Sequence, residues 1–390
     1  MQNAEYVKIK QHHKYRLRPS VGFVPLGNDT YEFFLSNTRT LKKIKIINQD
    51  FVQIISCLDG SKSIESIKLD YQQSELVQTK LDVLLQKLYD WHCIERADLS
   101  EIINSIGGRR VLNFFADFIK DEELLQKWNT LSKTIVCIVG CGAVGSWVST
   151  LLVGNGIKNF VLIDNDVIHK SNLNRSLFKN DQVGHKKLDA LMNNLQSQDP
   201  SISVEKVYRN INSTNDFEEI INNINYNKNL IVINCADYPN VDTTSRYISD
   251  PCMRYKIPHI IAGGYNLHLS LIGQTIIPFQ SSCFECANIV LNKDSNMLTG
   301  VKKMIREERN LGNLAPLTGI TASFVINEVM RIIFMNRELQ PLMLNKRGEF
   351  NFFTNKIKFF DLPRQKDCPW CGCTNTESDL LQHQGMLPKH

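Results

Sequence analysis

The apolar positions of this chain keep two different periods, and the places where the period changes divide it into parts. Between positions 21 and 36, VGFVPLGNDTYEFFLS alternates apolar with polar residues around Gly27-Asn28-Asp29, the pattern of a β-hairpin. Phe51 to Leu58 is a short helical run ended by Asp59-Gly60. Ser74 then stands as a cap before ELVQTKLDVLLQKLYDW, whose apolar residues recur at helical spacing, and CIERAD closes as a strand. Hairpin, helices and closing strand make residues 1–105 a small winged-helix-like domain, and 106–132 reads as a connector. Across 133–390 the pattern differs. The apolar runs Ile135–Val139, Phe160–Ile163, Ser203–Tyr208 and Leu230–Cys235 read as buried strands, with helical patterns between them. That alternation predicts an α/β fold, a doubly wound and mostly parallel sheet of Rossmann type. From His259 onward, HLSLIGQTIIP, SFVINEVMRIIF, LMLNK, EFNFF and KIKFFDL predict a mixed extension of one helix and antiparallel strands.

Composition narrows the classes. With 43% apolar and 22% charged residues, the 390-residue chain has the make-up of a folded globular protein. A net charge of +5, from 45 basic and 40 acidic residues, is too mild to imply a nucleic-acid partner. Winged helices commonly bind DNA, but the long helix here has only Lys80 and Lys87 as basic residues and carries acids as well. An extended peptide added to the hairpin edge suits this unit better. Ile135 to Val153 has nearly the length of a membrane span, yet Ser146, Ser149 and Thr150 interrupt it. The polar N-terminus lacks the apolar core of a secretory signal, so the expectation is a cytoplasmic protein with no membrane partner.

The candidate chemistry starts inside that apolar run. IVCIVGCGAVGSWVS places Gly140, Gly142 and Gly145 in the G-x-G-x-x-G arrangement between a strand and a helix. Such glycines allow a tight turn and bring backbone N–H groups close to phosphate at a helix N-terminus. Asp164 ends the next strand, about 20 residues on, where a ribose-binding carboxylate belongs. By itself this pattern fits nicotinamide, flavin or adenylyl chemistry. Three additions favour attack on the phosphates of ATP. SNLNR supplies Asn172 and Arg175, whose planar guanidinium suits two phosphate oxygens at once. G-x-x-K at Gly184–Lys187 opens the next helix with a second cation, Lys187. VINCADYPN ends a buried strand in Asp237, placed to hold Mg²⁺ between phosphate oxygens.

The chain has 11 cysteines. Cys137 and Cys235 lie in strand-like runs and read as inert core thiols. Cys283 with Cys286, and Cys368 with Cys371, form two C-x-x-C pairs, enough for a closed tetrahedral site that holds a structural Zn²⁺, with Cys373 a spare beside it.

The glycine loop, the acid, SNLNR, G-x-x-K and the strand-end Asp together resemble the ThiF/MoeB superfamily of ATP-dependent adenylating enzymes, over roughly residues 130–375. The resemblance implies that Gly140, Gly142 and Gly145 hold the phosphates and Asp164 the ribose, with Asp166 beside it. Asn172, Arg175 and Lys187 would contact the triphosphate and Asp237 would position Mg²⁺, making Arg175, Lys187 and Asp237 the catalytic set. Family members also carry an arginine upstream of the glycine loop, often supplied across a homodimer interface; Arg110, after Arg109, is the available position. The crossover between Cys286 and Ala315, including NKDSNMLTGVKKMIREERNLGNL, has no cysteine, which argues against the thioester-forming branch. AGGYNLHLSLIGQTIIPFQSSCFEC and LAPLTGITASFVINEVMRIIF are similar to the peptide adenylyltransferases of microcin-type and pantocin-type antibiotic maturation. That group places a peptide-clamp domain before the adenylating domain, so the expected partner is a short ribosomal precursor peptide. The alternatives are activation of Glu side chains followed by cyclisation, or adenylation of the C-terminal Gly of a sulfur-carrier protein.

Overall fold

The computed structural model describes residues 8–224, 229–262, 265–266, 268–292 and 312–372. Most of the cysteine-free crossover, and Cys373, lie outside the described residues. The chain divides into two compact units, Met1–Asn129 and Thr130–His390.

The N-terminal unit runs β1 (Lys14–Leu17), β2 (Val21–Gly27), β3 (Thr30–Leu35), β4 (Thr40–Lys45), α1 (Gln49–Ser56), β5 (Asp59–Ser63), α2 (Ile64–Asp70), α3 (Glu75–Asp90), β6 (Ile94–Arg96), α4 (Ala97–Ser105), α5 (Arg109–Phe115) and α6 (Asp121–Lys133), whose last turn enters the second unit. The hairpin forms about Asn28 and Asp29, both at positive φ, and extends to an antiparallel sheet in the order β2-β3-β4. Its outer strand β4 pairs with β3 alone among the described strands. A second small sheet, β5-β1-β6, uses DGSKS as a strand where the sequence reads as a helix stop. DGSKS has no apolar residue, so periodicity carries no trace of it. Ser74 does stand at the N-cap of α3, but its hydroxyl donates to Asp50 Oδ2 at 2.6 Å rather than capping the helix. One face of α3 (Val77, Leu81, Leu85, Leu88) is fully buried beside Phe33, Ile55 and Ile64. At roughly 1.5–3 kcal/mol per large apolar side chain, that cluster is the main support of the unit. The stretch that reads as a connector is instead mostly two helices, with Leu112, Phe115, Leu124 and Leu131 buried.

The second unit is built on β7 (Ile135–Val139), α7 (Ala143–Gly154), β8 (Asn159–Ile163), α8 (Lys187–Gln198), β9 (Ser203–Val207), α9 (Thr214–Asn223), β10 (Leu230–Asn234), α10 (Val241–Arg254) and β11 (His259–Ile261). These are followed by β12 (Tyr265–Asn266), β13 (Leu269–Ile272), β14 (Thr275–Ile276), α11 (Phe284–Asn292), α12 (Ala315–Ile333), β15 (Lys346–Asn351) and β16 (Lys356–Asp361). The main sheet has the order β14-β11-β10-β7-β8-β9, parallel except for β14. β8 and β9 follow β7 on one side while β10 returns on the other. The strand order therefore reverses between β7 and β10, and a crevice opens beyond their carboxyl ends. The extension is the antiparallel sheet β12-β13-β15-β16. α12 is tied to β13 by Ser270 Oγ donating to Leu317 O (2.7 Å) and Thr321 Oγ donating to Leu271 O (3.1 Å). No helix among the described residues is long and apolar enough to cross a membrane.

Candidate functional site

The turn from β7 into α7 fits glycine alone at two points. Gly140 has φ +85°, and a Cβ there would lie 2.7 Å from Ala236 N, where the chain leaves β10. A Cβ on Gly145 would lie 2.1 Å from Gly140 O, so the helix packs against its own loop only without a side chain. Gly142 is the N-cap residue of α7, and its surroundings stay open for a ligand. The unpaired N–H groups of this first turn give the helix end a partial positive charge.

Asp164 follows β8 and is nearly buried. Its Oδ2 accepts the Cys141 N–H at 2.8 Å and its Oδ1 accepts the Asp166 N–H at 2.8 Å, fixing the carboxylate against the glycine loop. Lys187 is the first residue of α8 and only 8% exposed. Its Nζ donates to Asp166 Oδ2 at 2.7 Å and lies 3.8 Å from Asp164 Oδ2. A Cβ on Gly142 would stand 3.9 Å from that ammonium, so the cation lies over the loop. Asn172 Oδ1 accepts the His169 N–H (2.9 Å) in a short 3₁₀ turn. Arg175, three residues on, has its carbonyl held by Trp147 Nε1–H (2.9 Å) and its guanidinium by Ser171 O (2.5 Å) and Asn174 Oδ1 (3.0 Å). Asp237 is exposed in the loop after β10, just before Asn240 caps α10.

Gly140, Gly142, Asp164, Asp166, Asn172, Arg175, Lys187 and Asp237 all line one cavity of about 490 Å³. Gly145 lies behind the loop and shapes it. Arg110 belongs to α5 of the N-terminal unit and is not among the lining residues. Arg209, Asn210, Asn212 and Tyr238, which motif reading missed, complete the wall. Arg209 is clamped by Asp216 (3.1 Å) and Glu219 (2.8 Å). These residues follow the carboxyl ends of β9 and β10, so the rule that ligands bind beyond strand ends was the available signal. Cys235 is half-buried and lines the cavity, yet burial pushes its thiol up and keeps it protonated, in line with the expected inert thiol. Burial pushes the Cys137 thiol up and keeps it protonated.

The two C-x-x-C pairs meet. Cys283 Sγ lies 3.8 Å from Cys286 Sγ and 3.4 Å from Cys368 Sγ, and Cys286 Sγ lies 3.3 Å from Cys371 Sγ. All four are buried, with their sulfurs within 4.8 Å of one another. A disulfide needs about 2.05 Å. A tetrahedron of thiolates bonded at about 2.3 Å to one ion has edges near 3.8 Å. The cluster therefore fits a metal. Around it, the Gln365 N–H points at Cys286 Sγ (3.3 Å), and Arg364 donates to Phe279 O (3.1 Å) and Cys371 O (3.2 Å).

Comparison with known proteins agrees with this architecture. A structure of E. coli MccB with ATP has a TM-score of 0.67 at 22% identity, over 92% of this chain and 99% of that one. PaaA gives 0.62 at 18% identity, over 89% and 100%. These likenesses show the shared fold. Ubiquitin-like modifier-activating enzyme 5 of Arabidopsis thaliana is 24% identical over 279 residues, 68% of this chain, and its Oryza sativa counterpart 22% over 268 residues, 66% of this chain. The chain spans only 60% and 61% of those two relatives' lengths. Residues 110–370 match the ThiF family. That match takes in every glycine-loop and strand-end position described above and three of the four clustered cysteines, Cys371 standing just beyond it, and the chain accordingly belongs to the ThiF family, within the ThiF/MoeB-type adenylating superfamily.

Proposed function

We propose that this protein uses ATP and Mg²⁺ to adenylate a carboxylate of a ribosomally made precursor peptide. The observation that carries the reading is the single cavity in which a helix N-terminus, three cations and two strand-end acids surround the same space. The glycine loop would hold the phosphates and Asp164 the ribose hydroxyls. Asn172, Arg175 and Lys187 would orient the triphosphate and offset charge on its oxygens. The peptide carboxylate oxygen attacks the α-phosphorus, the bond from that phosphorus to the bridging oxygen breaks, and pyrophosphate leaves with its electrons. Mg²⁺, held by Asp237, would neutralise charge between phosphates. A structural Zn²⁺ in the cysteine cluster suits four buried sulfurs with no open coordination position.

For recognition of the peptide, the support is the outer strand β4, whose outer edge pairs with no described strand and suits an added extended segment. The MccB neighbours include structures with MccA, and one is described as a microcin C7 biosynthetic enzyme. A homodimer in the cytoplasm, with Arg110 or Arg109 lent to the partner's site, completes the proposal. The curated relatives favour a second reading, activation of the carboxyl terminus of a small carrier protein.

Intact-mass analysis separates them. The full chain is incubated with Mg-ATP and the short peptide encoded beside its gene. A gain of one AMP is the expected outcome. Loss of water without retained AMP would mean side-chain activation and cyclisation. No change on the peptide, with pyrophosphate released only when a Gly-Gly carrier is present, would establish the second reading instead.

A further inference from the structure

The segment SNLNR contains one polar residue to which the nucleotide reading gives no role. Asn174 lies between Asn172 and Arg175, is exposed, and is not among the residues lining the crevice. Its side chain is nonetheless held at both ends. Oδ1 accepts from Arg175 Nη1 at 3.0 Å, and Nδ2 donates to Asn313 O at 3.2 Å. A guanidinium only donates and a carbonyl only accepts, so a single orientation of the amide satisfies both neighbours.

The effect falls on the donors that Arg175 has left. Nη1 carries two N–H groups, and Asn174 Oδ1 and Ser171 O (2.5 Å) take both. That leaves Nε and Nη2, the parallel edge of the guanidinium that suits a pair of phosphate oxygens. The main chain of the same residue is held too. Arg175 O accepts Trp147 Nε1–H at 2.9 Å, and a Cβ added to Gly319 of α12 would stand 3.8 Å from the Trp147 ring. Asn313 stands two residues before α12. The start of α12, itself tied to β13, thus braces Arg175 by two routes, through Asn174 and through Trp147. A long side chain held this way has given up its rotamer freedom before a ligand arrives.

We propose that Asn174 is a positioning residue for the triphosphate: bridging Arg175 and the entry to α12, it presents the Nε–Nη2 edge of the guanidinium to the phosphate oxygens. The proposal rests on the ATP reading above, but it can be measured without any acceptor. The full-length protein is titrated, with Mg²⁺, against α,β-methylene-ATP, which cannot be cleaved at the α-phosphate, and against adenosine, which has no phosphate. Asn174→Ala should weaken binding of the analogue about tenfold, the size expected for loss of a hydrogen bond to a charged group. Adenosine affinity should change by less than about twofold, and the melting temperature should stay near the parent's. Because the residue acts through Arg175, the same change made in an Arg175→Lys background should weaken the analogue by less than about twofold further. Equal weakening of both ligands would make Asn174 merely structural. That result, unchanged binding of the analogue, or a full loss repeated in the Arg175→Lys background would each overturn the proposal. No binding of the analogue by the parent would sink the ATP reading and this proposal with it. Failure to adenylate any acceptor, with the binding pattern intact, would count against the acceptor reading only.

Discussion

The Asp164 carboxylate and the Asp237 carboxylate serve the same cavity by different means. Asp164 is part of the scaffold: with both oxygens taking backbone N–H groups at 2.8 Å, its loss would free the glycine loop itself. Asp237 is exposed beyond the end of its strand, where a carboxylate can serve a ligand at small cost to the fold. Asp237→Ala should therefore lower peptide-dependent pyrophosphate exchange by about 10²–10³-fold, the range for removing one electrostatic contact to a charged transition state. The melting temperature and the affinity for peptide should stay near those of the parent. Retained exchange in this variant would remove Asp237 from the catalytic set. At this scale the sequence was informative because side chains of fixed chemistry recur at fixed offsets from the strands. It was silent on Arg209 and Asn212, which no motif marks and which only the folded order of strands brings to the cavity.

Elements were legible where burial imposes a period. β7 runs over Ile135–Val139 as its apolar run implies, because a strand covered on both faces leaves no polar interruption to misread. β5 was not legible, because DGSKS joins its sheet through backbone hydrogen bonds with β1 and owes nothing to apolar side chains. α5 and α6 were missed for another reason: the Gly107-Gly108 start and the charged first turn of α6 look like punctuation between domains. The described segment after β16, residues 362–372, has no helix or strand and is held instead by Arg364 and the cysteine cluster. Chelation of the proposed Zn²⁺ should therefore expose Cys368 and Cys371 to alkylation before the parallel sheet melts and before adenylation is lost. Mass-mapped alkylation beside thermal melting checks the order, and loss of adenylation with those two thiols still protected would reverse it.

At the scale of the whole molecule, the N-terminal unit carries a pH response of its own. Within the N-terminal unit, burial raises the Asp121 carboxyl from 3.8 to about 6 against the opposing pull of Arg18. The folded chain therefore binds a proton that the unfolded chain does not, between about pH 6 and pH 4. Keeping this group ionised costs stability above that window, and the cost is relieved on acidification. Asp121→Asn should thus differ from the parent most at neutral pH, with the parent gaining on it as pH falls from 7 to 4. Paired urea titrations measure this, and a difference constant with pH would refute it. The doubly wound topology was readable at this scale, since alternating strands and helices admit few arrangements. The sulfur cluster, finally, bears on how such a protein can diversify. Cys283 and Cys368 are 85 positions apart and meet at one point, so the chain between them is a closed handle anchored at both ends. Every residue that lines the nucleotide crevice precedes Cys283, so insertions or substitutions within the handle would change no residue of its wall.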